Sequence, residues 1–121
     1  MLKNLLLAGL GGGIGSILRY GCNLLIPAKY FPWPTFIVNV TGSFVIGIVF
    51  ALSIKDAALS NDWKLFLTVG VCGGFTTFSA FSLENMGLMQ SGKYGLAVTY
   101  ITLSIMLSIV ATFLGYQIIK N

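Results

Sequence analysis

Charge is scarce in this chain: 8% of its 121 residues are Asp, Glu, Lys or Arg, against roughly 25% in ordinary soluble domains. With 56% hydrophobic residues and a mean hydropathy of +0.91, that shortage excludes a soluble globular domain and places the chain in a lipid bilayer. Histidine is absent and there are two cysteines, Cys22 and Cys72, so a zinc site lacks its usual ligands. Both cysteines fall inside apolar stretches, where they read as small buried residues rather than as a disulfide. No Ala-x-Ala-like cleavage site follows Lys3 and the leucines at 5–7, and the apolar character outruns a signal-peptide core of about 7–15 residues. The first hydrophobic stretch is therefore expected to be retained.

What is present is four apolar runs, each near the roughly 20 residues that cross a hydrocarbon core. They lie at about 3–25, 35–54, 63–89 and 94–119, giving a single four-helix transmembrane domain over residues 1–121. Pro27, Pro32 and Pro34 punctuate the first junction, a polar loop from Lys55 to Lys64 that includes Asp56 the second, and Ser91-Gly92-Lys93 the third.

An even number of spans puts Lys3, Lys55, Lys64 and Lys120 on one side and Lys29 and Lys93 on the other, with Arg19 joining the second group if it snorkels outward. Four against two or three is a weak asymmetry, and orientation depends on a marked one. Insertion both ways would allow two copies to pair head-to-tail, recreating from one short chain the inverted repeats of larger transport proteins. Insertion in a single orientation stands equally open on charge alone.

Polar residues inside spans are costly unless paired or wetted, so they are where function is sought. In the first span Gly9, Gly11, Gly12, Gly13 and Gly15 suit close backbone approach. Arg19 either anchors at the interface or stands in a wet mouth that attracts anions. Asn39 in the second span is either an interhelical hydrogen-bonding residue or a donor to a desolvated anion.

The third span carries Gly-Gly-Phe-Thr-Thr-Phe-Ser-Ala-Phe-Ser at 73–82. Glycines and hydroxyls there predict a broken helix, and non-helical chain at membrane depth survives only inside protein or along a cavity. A break frees carbonyl oxygens that can hold a dehydrated hard cation, half the ligands coming from each chain if it lies on a dimer axis. The plainer alternative is a glycine kink with hydroxyl back-bonding. Phe75, Phe78 and Phe81 recur at helical spacing, as packing residues or as rings whose positive edges meet an anion. Glu84, near the end of the span, is expected to pair with Lys93 or Arg19, the functional alternative being a coupling carboxylate for proton transport. Tyr100, Ser104 and Ser108 share one face of the fourth span, extended by Thr112, as a polar track or as helix-packing hydroxyls.

These motifs resemble the Fluc (CrcB) fluoride channels of bacteria. The match runs through Gly-Gly-Gly-Ile-Gly-Ser-Ile-Leu-Arg-Tyr at 11–20, Val-Asn-Val-Thr-Gly-Ser-Phe at 38–44 and Gly-Val-Cys-Gly-Gly-Phe-Thr-Thr-Phe-Ser-Ala-Phe-Ser-Leu-Glu at 70–84. Ala80 stands where the family commonly has Thr, which bears only on a hydroxyl contribution at that position. The resemblance implies an all-α membrane protein of the bacterial inner membrane: an antiparallel, dual-topology homodimer with two fluoride pores and one central sodium ion. It implies sodium ligation by the main-chain oxygens of Gly73 and Thr76, pore lining by Asn39, Phe78, Phe81, Tyr100, Ser104 and Ser108, and a vestibule role for Arg19. The activity implied is passive export of fluoride, with no enzymatic step and no nucleic-acid partner. A small multidrug-type proton-coupled exporter and a non-transporting membrane assembly subunit are the competing readings; the first requires a deeply embedded acidic residue, and the first span has none.

Overall fold

In a computed structural model, which describes residues 1–55 and 59–120, the chain forms four long apolar helical stretches. Helix α1 spans Leu2–Leu25 and α2 spans Trp33–Lys55. The third stretch is composite: α3 (Asn61–Leu65), a π-helical segment (Phe66–Cys72), α4 (Gly73–Phe75) and α5 (Phe78–Gln90). Helix α6 spans Tyr94–Lys120. At about 1.5 Å per residue, the 24, 23 and 27 residues of α1, α2 and α6 each exceed a hydrocarbon core of about 30 Å.

Local chemistry sets the junctions. Pro34 lies in the first turn of α2, where a missing N–H removes no helical bond, so the proline cluster that ends one helix also begins the next. The Ser60 side chain accepts from Trp63 N–H and caps α3. Asp56, assigned to the preceding polar loop, lies outside the described residues. Gly92 takes φ +78, while its N–H donates to the Met89 carbonyl and that of Lys93 to the Leu88 carbonyl. That pairing is the Schellman stop, in which the left-handed position favours glycine.

Two packed pairs organise the bundle: α1 against the π-helical segment and α4, and α2 against α6. Both pairs rely on backbone approach. A Cβ on Gly11 would stand 2.7 Å from the Phe66 carbonyl oxygen and 2.8 Å from Gly70 Cα, and one on Gly15 would collide with the Val71 carbonyl. Gly9 and Gly13 face open space, so in this chain the i, i+4 pair Gly11 and Gly15 carries the close approach. Between α2 and α6, Gly47 meets the Thr112 backbone and Gly115 the Phe44 carbonyl. Helix α5 leaves the first pair and packs on α6, which places Phe81 and Asn85, its buried residues, on that helix's inner face.

Candidate functional site

The crossover from one pair to the other is made by two extended residues, Thr76 (φ −80, ψ 157) and Thr77 (φ −152, ψ 122). Asn39 holds it open. Its Nδ2 donates to the Thr77 carbonyl at 3.1 Å and its Oδ1 accepts from Thr77 N–H at 2.8 Å. One turn along α2, Gly42 leaves room for the Thr76 methyl group, with which a Cβ would collide. Thr77 then caps α5, its hydroxyl accepting from Ala80 N–H at 3.2 Å.

This pairing redirects two N–H groups. In an unbroken helix, Thr77 N–H would bond the Gly73 carbonyl and Ala80 N–H the Thr76 carbonyl; here they go to Asn39 Oδ1 and Thr77 Oγ1. The Gly73 and Thr76 carbonyls thus lose their helical donors at the same place. The Thr76 hydroxyl donates to the Cys72 carbonyl at 2.9 Å, so both its hydroxyl oxygen and its main-chain oxygen keep lone pairs. Arg19 Nε donates to the neighbouring Gly74 carbonyl at 3.2 Å. The guanidinium is therefore turned inward onto the backbone at the crossover, with its other donors left over.

A groove of about 440 Å³ runs beside the crossover, lined among others by Asn39, Thr76, Phe78, Phe81, Ser104 and Ser108. Gly73 also borders it, whereas Tyr100 and Arg19 do not. Ser104 Oγ is buried with no hydrogen-bond partner among the described residues, an unspent hydroxyl on the groove's wall. Phe81 is buried, while Phe78 keeps 76% of its surface exposed; their ring centroids are 5.6 Å apart.

Tyr100 is wholly buried behind Phe81, its ring centroid 4.9 Å away. The expected pairing of Glu84 with Lys93 or Arg19 is corrected here. Glu84 accepts from the Tyr100 hydroxyl at one oxygen and the Thr35 hydroxyl at the other, both at 2.8 Å. Lys93 lies beyond the helix stop and Arg19 is held by Gly74, and the ion pair among the described residues is Lys3 with Asp62. Thr112 continues the face of Tyr100, Ser104 and Ser108, but its hydroxyl bonds the Ser43 and Ser108 carbonyls, which is a packing role. Thr35 escaped sequence reasoning because a threonine in the first turn of a helix carries no distinguishing signal.

Four long apolar helical stretches, three of which line a sparsely polar groove, mark a multi-pass membrane protein. The chain belongs to the family described as CrcB-like protein, Camphor Resistance (CrcB), whose profile matches residues 6–116. It is similar to the protein named Fluoride-specific ion channel FluC of Azobacteroides pseudotrichonymphae genomovar. CFP2, 49% identical over 119 residues that cover 96% of this chain and 95% of the relative. Relatives of the same name from Thermus thermophilus and Flavobacterium psychrophilum are each 46% identical. They cover 97% and 99% of this chain, and 95% and 99% of their own lengths.

Proposed function

We propose that this chain is a fluoride-selective channel that lets cytoplasmic fluoride leave a bacterial cell passively across its inner membrane. The observation that carries the reading is the convergence of Asn39, Phe78, Phe81, Ser104 and Ser108 on one groove, in a chain whose relatives are named fluoride-specific channels. Fluoride is small and strongly hydrated, so a path must replace its water with partners weak and serial enough to release it. Ring edges supply positive potential, the Ser104 hydroxyl is unpartnered, and Asn39 retains one amide N–H beyond the one given to Thr77. The acid HF enters a cell, dissociates at neutral pH, and leaves its anion trapped; a passive path then suffices to lower its concentration.

The same reading takes the working unit to be an antiparallel homodimer of chains inserted in both orientations. The weak lysine asymmetry supports it, as does the exposure of Phe78 on a protomer's surface, where a second copy would cover it. A sodium ion would be held between two chains by the Gly73 and Thr76 main-chain oxygens of each. Their lost helical donors make them fitting ligands for a hard cation, and bound there its charge would tie the two crossovers together. In the mouth, the donors of Arg19 beyond Nε would draw anions inward.

Purified protein in liposomes loaded with fluoride or chloride tests the reading. Fluoride is expected to leave rapidly on relief of the membrane potential, with chloride retained. Equal chloride flux would remove selectivity, flux that requires a proton gradient would favour a coupled exporter, and no flux of either ion would favour an assembly subunit.

A further inference from the structure

The loop between α1 and α2 sends a ring back into the bundle. Phe31 packs edge-to-face on Tyr100, with centroids 5.2 Å apart and planes at 78°. It is held from behind by Trp33 at 4.7 Å and Phe36 at 5.4 Å. Its carbonyl accepts from Trp33 N–H at 2.7 Å, and Pro32 follows it directly, so the backbone that carries the ring is stiff. Tyr100 also meets Phe81, with ring centroids 4.9 Å apart. A ring at the membrane boundary would ordinarily lie among lipid headgroups, as the exposed Tyr30 and Trp33 beside it can. Phe31 instead abuts a tyrosine with no exposed surface.

We propose that Phe31 is a positioning residue for permeation: packed by both Phe31 and Phe81, the Tyr100 ring is held with its hydroxyl on Glu84. Phe81 then stays in place on the groove wall, and the Glu84 carboxyl stays on the Tyr100 and Thr35 hydroxyls. A tyrosine free to rotate would leave Phe81 unbraced and the Glu84 carboxyl with the Thr35 hydroxyl alone. The inference rests on the fluoride reading and adds to it a residue outside the four spans.

The test is fluoride efflux from liposomes by Phe31→Leu, Phe31→Ala and Phe31→Tyr proteins, each made also in a Tyr100→Phe background. Losing an aromatic edge contact of this geometry is expected to slow efflux about 3- to 10-fold in Phe31→Leu and Phe31→Ala, while Phe31→Tyr stays within about twofold of the parent. In the Tyr100→Phe background, which keeps the ring and removes the hydroxyl, Phe31→Leu is expected to slow efflux by less than it does in the parent. Phe31→Leu keeps most of the volume, so it carries the test if Phe31→Ala elutes as aggregate. Parental efflux by Phe31→Leu, or full additivity with Tyr100→Phe, overturns the positioning role and leaves the channel reading standing. A parent protein that passes no fluoride removes both.

Discussion

The two halves of the third apolar stretch share a chain direction and little else. From Asn61 to Phe75 the helix widens into a π-helical segment and lies backbone-to-backbone on α1, where Gly70 meets Gly11 and Gly74 meets Gly12. From Phe78 to Gln90 it is an ordinary α-helix held on α6 through side chains, with Phe81 on the Tyr100 ring and Glu84 on its hydroxyl. The first half has no room for a Cβ at Gly70 or Gly74; in the second, a Cβ on Gly87 meets nothing within 4 Å. Fit at the backbone makes the first half a scaffold that lends Thr68, Cys72 and Gly73 to the groove wall, while the second lends the rings of Phe78 and Phe81. Thr76 and Thr77 let one stretch do both, because an extended residue pair changes which neighbour the following helix meets.

If that division is right, the same change of residue has unequal consequences on its two sides. Gly74→Val puts side-chain atoms into the Gly12 backbone, which nothing flexible can relieve, and is expected to abolish the monodisperse folded species on size-exclusion chromatography. Asn39→Ala comes next. It removes both hydrogen bonds to Thr77 and leaves part-buried backbone groups unmatched, at a cost of about 2–4 kcal/mol. It should lower the thermal aggregation temperature and cut fluoride efflux together, since crossover and groove share that residue. Arg19→Lys keeps the charge and loses the Nε bond to Gly74. A stability loss of about 1–3 kcal/mol is expected, read as a smaller fall in aggregation temperature; no fall would mean that Arg19 does not brace the crossover. Gly87→Ala is the smallest change, neutral or stabilising by up to about 1 kcal/mol, and marked destabilisation would place an unseen neighbour against α5.

The sequence made the four apolar stretches legible because lipid imposes length and composition on every spanning segment. The extended pair at Thr76–Thr77 falls inside the glycine- and hydroxyl-rich run at 73–82, and Asn39 stands out as an amide among aliphatic neighbours. Partners across the fold were beyond reach. Arg19 and Gly74 are 55 positions apart and Thr35 and Glu84 are 49 apart, and helical spacing fixes which residues share a face without saying what faces them. Charge pairing misled at Glu84, where two neutral hydroxyls from α2 and α6 satisfy the carboxylate. Phe31 sits in a proline-rich connection that spacing reads only as a stop signal; its contact with Tyr100 arises from the path of the loop.

The sharpest test of the division between scaffold and lining is fluoride efflux by Phe78→Ile, measured on protein whose elution matches the parent. Phe78 keeps 76% of its surface outside the protomer's packing, so its loss should leave the fold intact. The expected result is parental elution with fluoride efflux suppressed to near the protein-free rate. Parental elution with unchanged efflux would contradict the assignment of α5 to the ion's path.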